Sequence, residues 1–132
     1  MKELFLAFVL ILGCVGPLAA EIRHCPVYNI YYSVPYLPDV NQIDYNYHFF
    51  HCMQIQLDGY YTGLNNYTIG NQLIYYLQTV GTPTAFRLCA DIIEVGLNNR
   101  LSSSFSLVCP PYLRSYYEQQ RNQAYKKAGI KR

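Results

Sequence analysis

Residues 82–96 read Thr-Pro-Thr-Ala-Phe-Arg-Leu-Cys-Ala-Asp-Ile-Ile-Glu-Val-Gly, and this stretch decides the fold class of the chain. Thr82 can cap a helix that starts at Pro83, where the missing N–H costs nothing. Most other positions are apolar, and the polar ones form one narrow stripe of Arg87, Asp91 and Glu94. A helix that is apolar around most of its circumference packs inside a domain. The stretch therefore predicts a central, mostly buried helix.

Two more helices are predicted on the N-terminal side of this one. Asp39 is the expected cap of a first helix that ends at Asp58-Gly59, and Thr68 is the expected cap of a second helix that ends at Gly81. Before them, residues 21–38 contain three prolines, which interrupt helices. This N-terminal segment is therefore predicted to be an extended or looped strap.

On the C-terminal side, a short helix is expected from about Asn99 to Cys109 and a last helix from about residue 111 to Lys127. No β-alternation of comparable length occurs. The predicted fold class is all-α, a compact disulfide-bridged bundle of about five to six short helices. Residues 21–132 are expected to form a single domain that ends in the basic C-terminal helix.

The first twenty residues have the features of a secretory signal peptide. Lys2 precedes an apolar run from Leu4 to Val15, which is too short to span a bilayer, and Ala19-Ala20 precedes the expected cleavage site. The competing interpretation is a lipobox at residues 11–14 with Cys14 acylated, which the downstream Ala-Ala boundary disfavours. The mature chain is therefore predicted to be secreted and extracellular, and not an integral membrane protein.

Four cysteines remain after that cleavage: Cys25, Cys52, Cys89 and Cys109. An even number in a short exported chain predicts two disulfides rather than a metal site, with three connectivities open. Residues 66–68, Asn-Tyr-Thr, form an N-glycosylation sequon at Asn66, which is useful if the source is eukaryotic.

Charge is divided unevenly along the chain. Residues 21–113 carry three basic and six acidic groups, whereas residues 114–132 carry six basic groups and one acidic group. Ten Lys or Arg against eight Asp or Glu in the whole chain argue against nucleic-acid binding. The basic segment is expected to be a solvated helix end that complements the helix dipole. The alternative is that it folds back on the acidic body or docks on an anionic surface.

Little in the sequence points to catalysis or to a cofactor. Asp44 lies four residues before His48, which suggests an acid–base pair, but no activated nucleophile is evident nearby. His48 and His51 could start a metal site, yet no further ligand is marked. We therefore expect no catalytic residues, no metal and no cofactor.

The cysteine intervals of 26, 36 and 19 residues, behind a signal peptide and a helical pattern, resemble those of the insect odorant-binding proteins (the pheromone and general odorant-binding family) in their four-cysteine, "minus-C" form. Cys52 is similar to the family's third cysteine, and His48 stands where the second should be. Cys109 is similar to the sixth, and Arg100 stands where the fifth should be. The two missing cysteines would be bonded to each other in the family, so their joint absence leaves no unpaired cysteine. The family's first two helices have little room here.

The resemblance implies two disulfides, Cys25–Cys52 and Cys89–Cys109. It also implies a secreted carrier that transports a small hydrophobic ligand, such as an odorant, pheromone or lipid, in a cavity between helices, as in olfaction. The alternative is a secreted interaction protein on the same scaffold, for example a seminal-fluid factor that contacts a receptor or another extracellular protein.

Two sets of residues are candidates for the site. The cavity of a carrier would be lined by the large apolar and aromatic residues of the helices, which are Tyr47, Phe50, Leu73, Tyr76, Leu77, Phe86, Ile93, Phe105, Leu113 and Tyr116. The same residues could instead fill the core. The implied first bridge would bring His24 and His51 together, so that protonation near pH 6 would loosen the N-terminal strap. The alternative is two exposed histidines that titrate independently.

Overall fold

The computed structural model describes residues 21–98, 105 and 107–130. Two strands come first, β1 (Glu21–Cys25) and β2 (Ile30–Val34), followed by α1 (Gln42–Tyr61), α2 (Asn66–Val80), α3 (Pro83–Leu97) and α4 (Arg114–Lys127). A single 3-10 turn, Pro111–Leu113, leads into α4. The chain is thus mostly helical, with four helices in this part of it. The predicted signal peptide, residues 1–20, lies outside the described residues.

The predicted N-terminal strap is a β-hairpin, so the extended alternative of that prediction is correct and the looped one is wrong. β1 and β2 pair antiparallel from Glu21 opposite Val34 to Cys25 opposite Ile30. Pro26 and Pro35, which signalled a loop, lie immediately after the two strands and bound them. Tyr32 and Val34 point inward and are buried, but five residues of alternation are too few to be recognised in the sequence.

The first two helices begin at residues other than those predicted. The cap of α1 is Asn41, whose side chain accepts a hydrogen bond from the backbone of Asp44, and the helix continues to Tyr61 rather than ending at Asp58. Asp39 does not cap it because its carboxylate accepts from Arg87 at 2.5 Å. The cap of α2 is Asn65 rather than Thr68. Asparagine is as good a cap as aspartate, so the residue types alone could not choose between neighbours.

The prediction for α3 is confirmed. Thr82 caps it, Pro83 is its first residue, and Leu88, Ile92 and Ile93 are fully buried. The helix packs against α1, α2 and α4. Leu107 lies between α2 and α3 against Gly70 and Gly96, where an added Cβ at Gly96 would lie 2.7 Å from the Leu107 side chain. Two glycines therefore admit one large side chain between the helices.

The C-terminal helix ends at Lys127, as predicted, and it lies along α3. Arg121 pairs with Glu94 at 3.0 Å, and Arg114 donates to the backbone oxygen of Leu97. Lys127 lies 5.0 Å from the centre of the Phe86 ring. Arg121 thus contacts the acidic body, as the alternative interpretation expects, whereas Lys126 and Lys127 are exposed in the last turn of the helix, as the favoured interpretation expects.

The predicted short helix before Cys109 falls largely on residues 99–104 and 106, which lie outside the described residues. Phe105 and residues 107–110 are not helical. Within the described ranges, every helix is too short or too polar to cross a membrane.

Candidate functional site

The ten residues predicted to line a cavity do not form one continuous wall. Leu73, Leu77, Ile93 and Phe105 belong to the close-packed core, where none is more than 4% exposed. Four others are half-buried around that core: Phe50, Tyr76, Phe86 and Leu113. Tyr47 and Tyr116 lie on the surface, at 58% and 54% exposure. Phe86 lines a groove of about 200 Å³ beside three glutamines and Lys127.

A larger groove of about 310 Å³ lies where the hairpin meets the first two helices. We call it the corner groove. It is formed by the start of β2, the last turns of α1 and the start of α2, and its lining residues are Ile30, Gln56, Leu57, Tyr60, Tyr61, Asn66 and Ile69. Its volume is at the lower end of the range for small-molecule sites.

The floor of the corner groove is apolar and firmly packed. Leu57 is 7% exposed and Ile69 is 1% exposed, so both are anchored in the core beneath the opening. At Gly59 an added Cβ would lie 2.7 Å from the Ile69 side chain. The glycine therefore lets the end of α1 approach α2, and this approach shapes the groove floor.

The rim of the groove is aromatic and held in place by its neighbours. The Tyr28 and Tyr61 rings are stacked 4.6 Å apart, and Tyr60 meets Tyr61 edge-on at 5.1 Å. The Tyr28 hydroxyl donates to Asp58 at 2.5 Å, and this hydrogen bond raises the pKa of Tyr28. The stacking and the hydrogen bond orient Tyr61 before any ligand arrives, which reduces the ordering cost of binding.

Asn66, the predicted glycosylation site, is the one predicted site residue that lines the corner groove. It is half-buried as the first residue of α2, and the cap of that helix is its neighbour Asn65. The groove itself was missed because the first helix was predicted to end at Asp58-Gly59, whereas it continues through Tyr60 and Tyr61. The adjacent aromatic pair Tyr60-Tyr61, close to a sequon, is the sequence signal that could have drawn attention to it.

The pair Asp44 and His48 belongs to a chain of three polar groups. His48 is buried, with Nε2 at 3.3 Å from the Asp44 carboxylate and Nδ1 at 3.3 Å from the Tyr76 hydroxyl. Burial raises the pKa of Tyr76. Both imidazole nitrogens therefore have a partner, and the three groups join α1 to α2. Tyr76, the third member, was predicted as a cavity residue.

His24 and His51 are held in separate surroundings. His24 hydrogen-bonds the Asn29 side chain at 2.9 Å and lies against the Tyr31 ring. His51 is stacked on Tyr76 and bonded to the backbone oxygen of Tyr47. Within residues 21–98, no ring contact joins the two histidines.

Asp91 is the hub of a second polar network, in the seam between α3 and α4. Its carboxylate accepts from Arg87 at 3.2 Å, from the Tyr45 hydroxyl at 3.1 Å and from the Tyr125 hydroxyl at 3.3 Å. Burial raises the pKa of Asp91, against the opposing effect of Arg87. Burial also raises the pKa of Tyr45. We call these four residues the Asp91 network.

The four cysteines in the described part of the chain are buried free thiols, and neither of the two predicted bridges is formed in the structure. Cys25 accepts a hydrogen bond from the Gln54 side chain at 2.8 Å. Burial raises the pKa of Cys52, and it raises the pKa of Cys89 to about 12. Thiols with such pKa values are poor nucleophiles at neutral pH.

The part of the chain that the structure describes contains no cluster of three or more His, Cys, Asp or Glu that could hold a metal ion. No protein-family model matches the chain. No curated protein and no solved structure matches it either.

Proposed function

We propose that this protein is an exported, non-catalytic carrier that binds one small apolar or aromatic ligand in the corner groove. The observation that carries the proposal is a preorganised opening with an apolar floor and a tyrosine rim, in a molecule whose expected cavity residues largely fill the core or lie on the surface. A site with an apolar lining and a few polar groups is typical of small-molecule binding.

The chemistry of the groove limits the ligand. Ile30 and the exposed Tyr60 and Tyr61 rings offer apolar surface above the closed floor, and each Å² of it that the ligand covers contributes about 25 cal/mol before ordering costs. The Tyr60 and Tyr61 hydroxyls offer hydrogen bonds at the edge. A compact ring-sized ligand fits this space better than a long acyl chain. Among the ligands that the family resemblance implies, an odorant-like molecule is favoured over a lipid.

Export, two disulfides and glycosylation at Asn66 belong to the same proposal. They are supported by the signal-like N-terminus, the even cysteine count and the sequon. Each bridge would require its two buried thiols to approach, with a gain of roughly 3 to 4 kcal/mol per bridge from the chain-entropy model.

A second candidate function is supported by the exposed tyrosines. Tyr75 is 73% exposed and Tyr112 is 82% exposed, and tyrosine is enriched at the energetic centres of protein interfaces. In this alternative the protein is a secreted interaction factor, for example one that contacts a receptor, and the corner groove has no ligand of its own.

Titration with the fluorescent apolar probe N-phenylnaphthylamine tests the carrier proposal. We expect micromolar binding to the chain without its first twenty residues and without a glycan. Tyr60→Ala should weaken this binding at least fivefold. The matched control is Tyr75→Ala, which removes a similarly exposed tyrosine outside the groove and should leave the affinity unchanged. Equal losses in both variants, or no binding, would favour the interaction factor.

A further inference from the structure

We infer that the first sugar of an N-linked glycan at Asn66 occupies the corner groove, so that glycosylation controls whether the groove is open to a free ligand. The inference rests on the proposed function in one respect, because glycosylation can control ligand access only if the groove binds a free ligand. The occupancy of the groove by the sugar is a separate claim, and it follows from where Asn66 lies.

The position of the Asn66 side chain supports this inference. It lines the groove, and within residues 21–98 it makes no side-chain hydrogen bond, so its amide nitrogen has no structural partner to lose. The cap of α2 is provided by Asn65, which accepts from the backbone of Thr68 at 2.8 Å. Modification of Asn66 therefore leaves the start of the helix intact.

The sequon is unique in this sequence. Among the nine asparagines only Asn66 is followed two residues later by Ser or Thr, with Tyr67 between. The modification forms a bond from Asn66 Nδ2 to the anomeric carbon of a lipid-diphosphate-linked oligosaccharide. The bond from that carbon to phosphate breaks, the lipid diphosphate leaves with the electron pair, and the amide gives up one proton. Since Asn66 and Thr68 are half-buried in the folded protein, we expect transfer during export, before α2 forms.

The groove complements an N-acetylglucosamine residue. The sugar begins at Asn66, inside the groove, so its path to the floor is short. Its acetyl methyl group and its ring can lie against the exposed Tyr60 and Tyr61 rings, above the closed floor at Leu57 and Ile69. The tyrosine hydroxyls can bond to the sugar hydroxyls. A groove of about 310 Å³ holds one ring-sized group, so the sugar and a free ligand exclude each other.

The test uses the full chain secreted from a eukaryotic cell line and trimmed with an endoglycosidase that leaves a single N-acetylglucosamine. Thr68→Val removes the sequon but keeps Asn66, and Thr68→Ser keeps the sequon, which makes the two a matched pair. Asn66→Gln replaces Thr68→Val if the valine variant does not fold. Mass spectrometry establishes whether Asn66 carries the sugar.

Nuclear Overhauser effects between the acetyl methyl group and the Tyr60 and Tyr61 ring protons decide whether the sugar occupies the groove. We expect these effects in the wild type and in Thr68→Ser. We also expect N-phenylnaphthylamine to bind both of them at least tenfold more weakly than it binds Thr68→Val. An unmodified Asn66 in the secreted wild type, or a sugar without contacts to the two rings, would overturn the inference. If the contacts are present but Thr68→Val does not bind the probe, the sugar occupies the groove and it is the carrier proposal that fails.

Discussion

The seam between α3 and α4 and the corner where the hairpin meets α1 and α2 are held together in different ways. The seam between α3 and α4 is closed by the Asp91 network and by Arg121 with Glu94, which bind the C-terminal helix to the central one. The corner where the hairpin meets α1 and α2 is held by ring stacking and by one exposed hydrogen bond from Tyr28. The groove beside Phe86 and Lys127, along the seam, measures about 200 Å³, whereas the corner keeps a larger opening of about 310 Å³. Binding is therefore proposed where packing is incomplete and stability is expected where polar groups are satisfied.

The largest expected loss of stability follows from a substitution in the seam between α3 and α4. Asp91→Ala removes an acceptor shared by the buried Tyr45 and Tyr125 hydroxyls and the half-buried Arg87. We expect a loss of about 2–4 kcal/mol in the free energy of unfolding, measured by urea denaturation. Probe binding at the corner groove should be unchanged under conditions in which the variant is folded. A loss of less than roughly 0.5 kcal/mol, the size of a neutral surface change, would contradict this role for the seam.

A smaller loss of stability is expected from a substitution where Leu107 packs between α2 and α3. Gly96→Ala places a methyl group against the Leu107 side chain, and overpacking of this kind costs about 1–3 kcal/mol. The gain in helix propensity from glycine to alanine offsets up to about 1 kcal/mol of that cost. The control is the double variant Gly96→Ala with Leu107→Ala. Its loss should be smaller than the sum of the two single losses, and strict additivity would show that the two sites do not interact.

The pH dependence of stability is a second test of the Asp91 network. Because the folded-state pKa of Asp91 is raised, the folded protein binds this proton more tightly than the unfolded chain does. Its contribution to stability is therefore present below the unfolded pKa and is lost as pH rises through the folded pKa.

Unfolding of the wild type and of Asp91→Asn should be compared from about pH 4, close to the ordinary pKa of aspartate, up to about pH 7. The free energy of unfolding of the wild type relative to the variant should increase as pH falls. The slope is limited to about 1.4 kcal/mol per pH unit for one proton. A difference that decreases as pH falls would contradict the raised pKa.

The smallest expected change concerns the rim of the corner groove. Tyr28→Phe removes the hydroxyl that donates to Asp58 and keeps the ring that stacks on Tyr61. We expect probe affinity to fall about two- to threefold with no shift in Tm, because one exposed orienting contact is lost. Tyr36→Phe is the control, since Tyr36 is a half-exposed tyrosine that does not line the groove. A tenfold loss of affinity would show that the Tyr28 hydroxyl contacts the probe itself.

Local signals predicted the parts of the fold that depend on neighbours in the sequence. Thr82 and Pro83 start α3, Gly81 ends α2 with a positive φ of 70°, and a basic helix ends at Lys127. The hairpin was missed because its prolines also signal loops. The caps of α1 and α2 differ from the predicted ones because several suitable residues precede each helix. At α1, Asp39 pairs with Arg87 in the folded protein and does not act as the cap.

Residue type and short-range periodicity are enough to predict the central helix, the helical class and the position of the sequon. Only the tertiary structure decided that most of the expected cavity residues became core or surface, and that residues as distant as Ile30 and Ile69 enclose a groove. The physical reason is that a cavity is the space which packing leaves unfilled. Its place depends on how the ends of several elements meet, as at Gly59 against Ile69. No single segment of the chain contains that information.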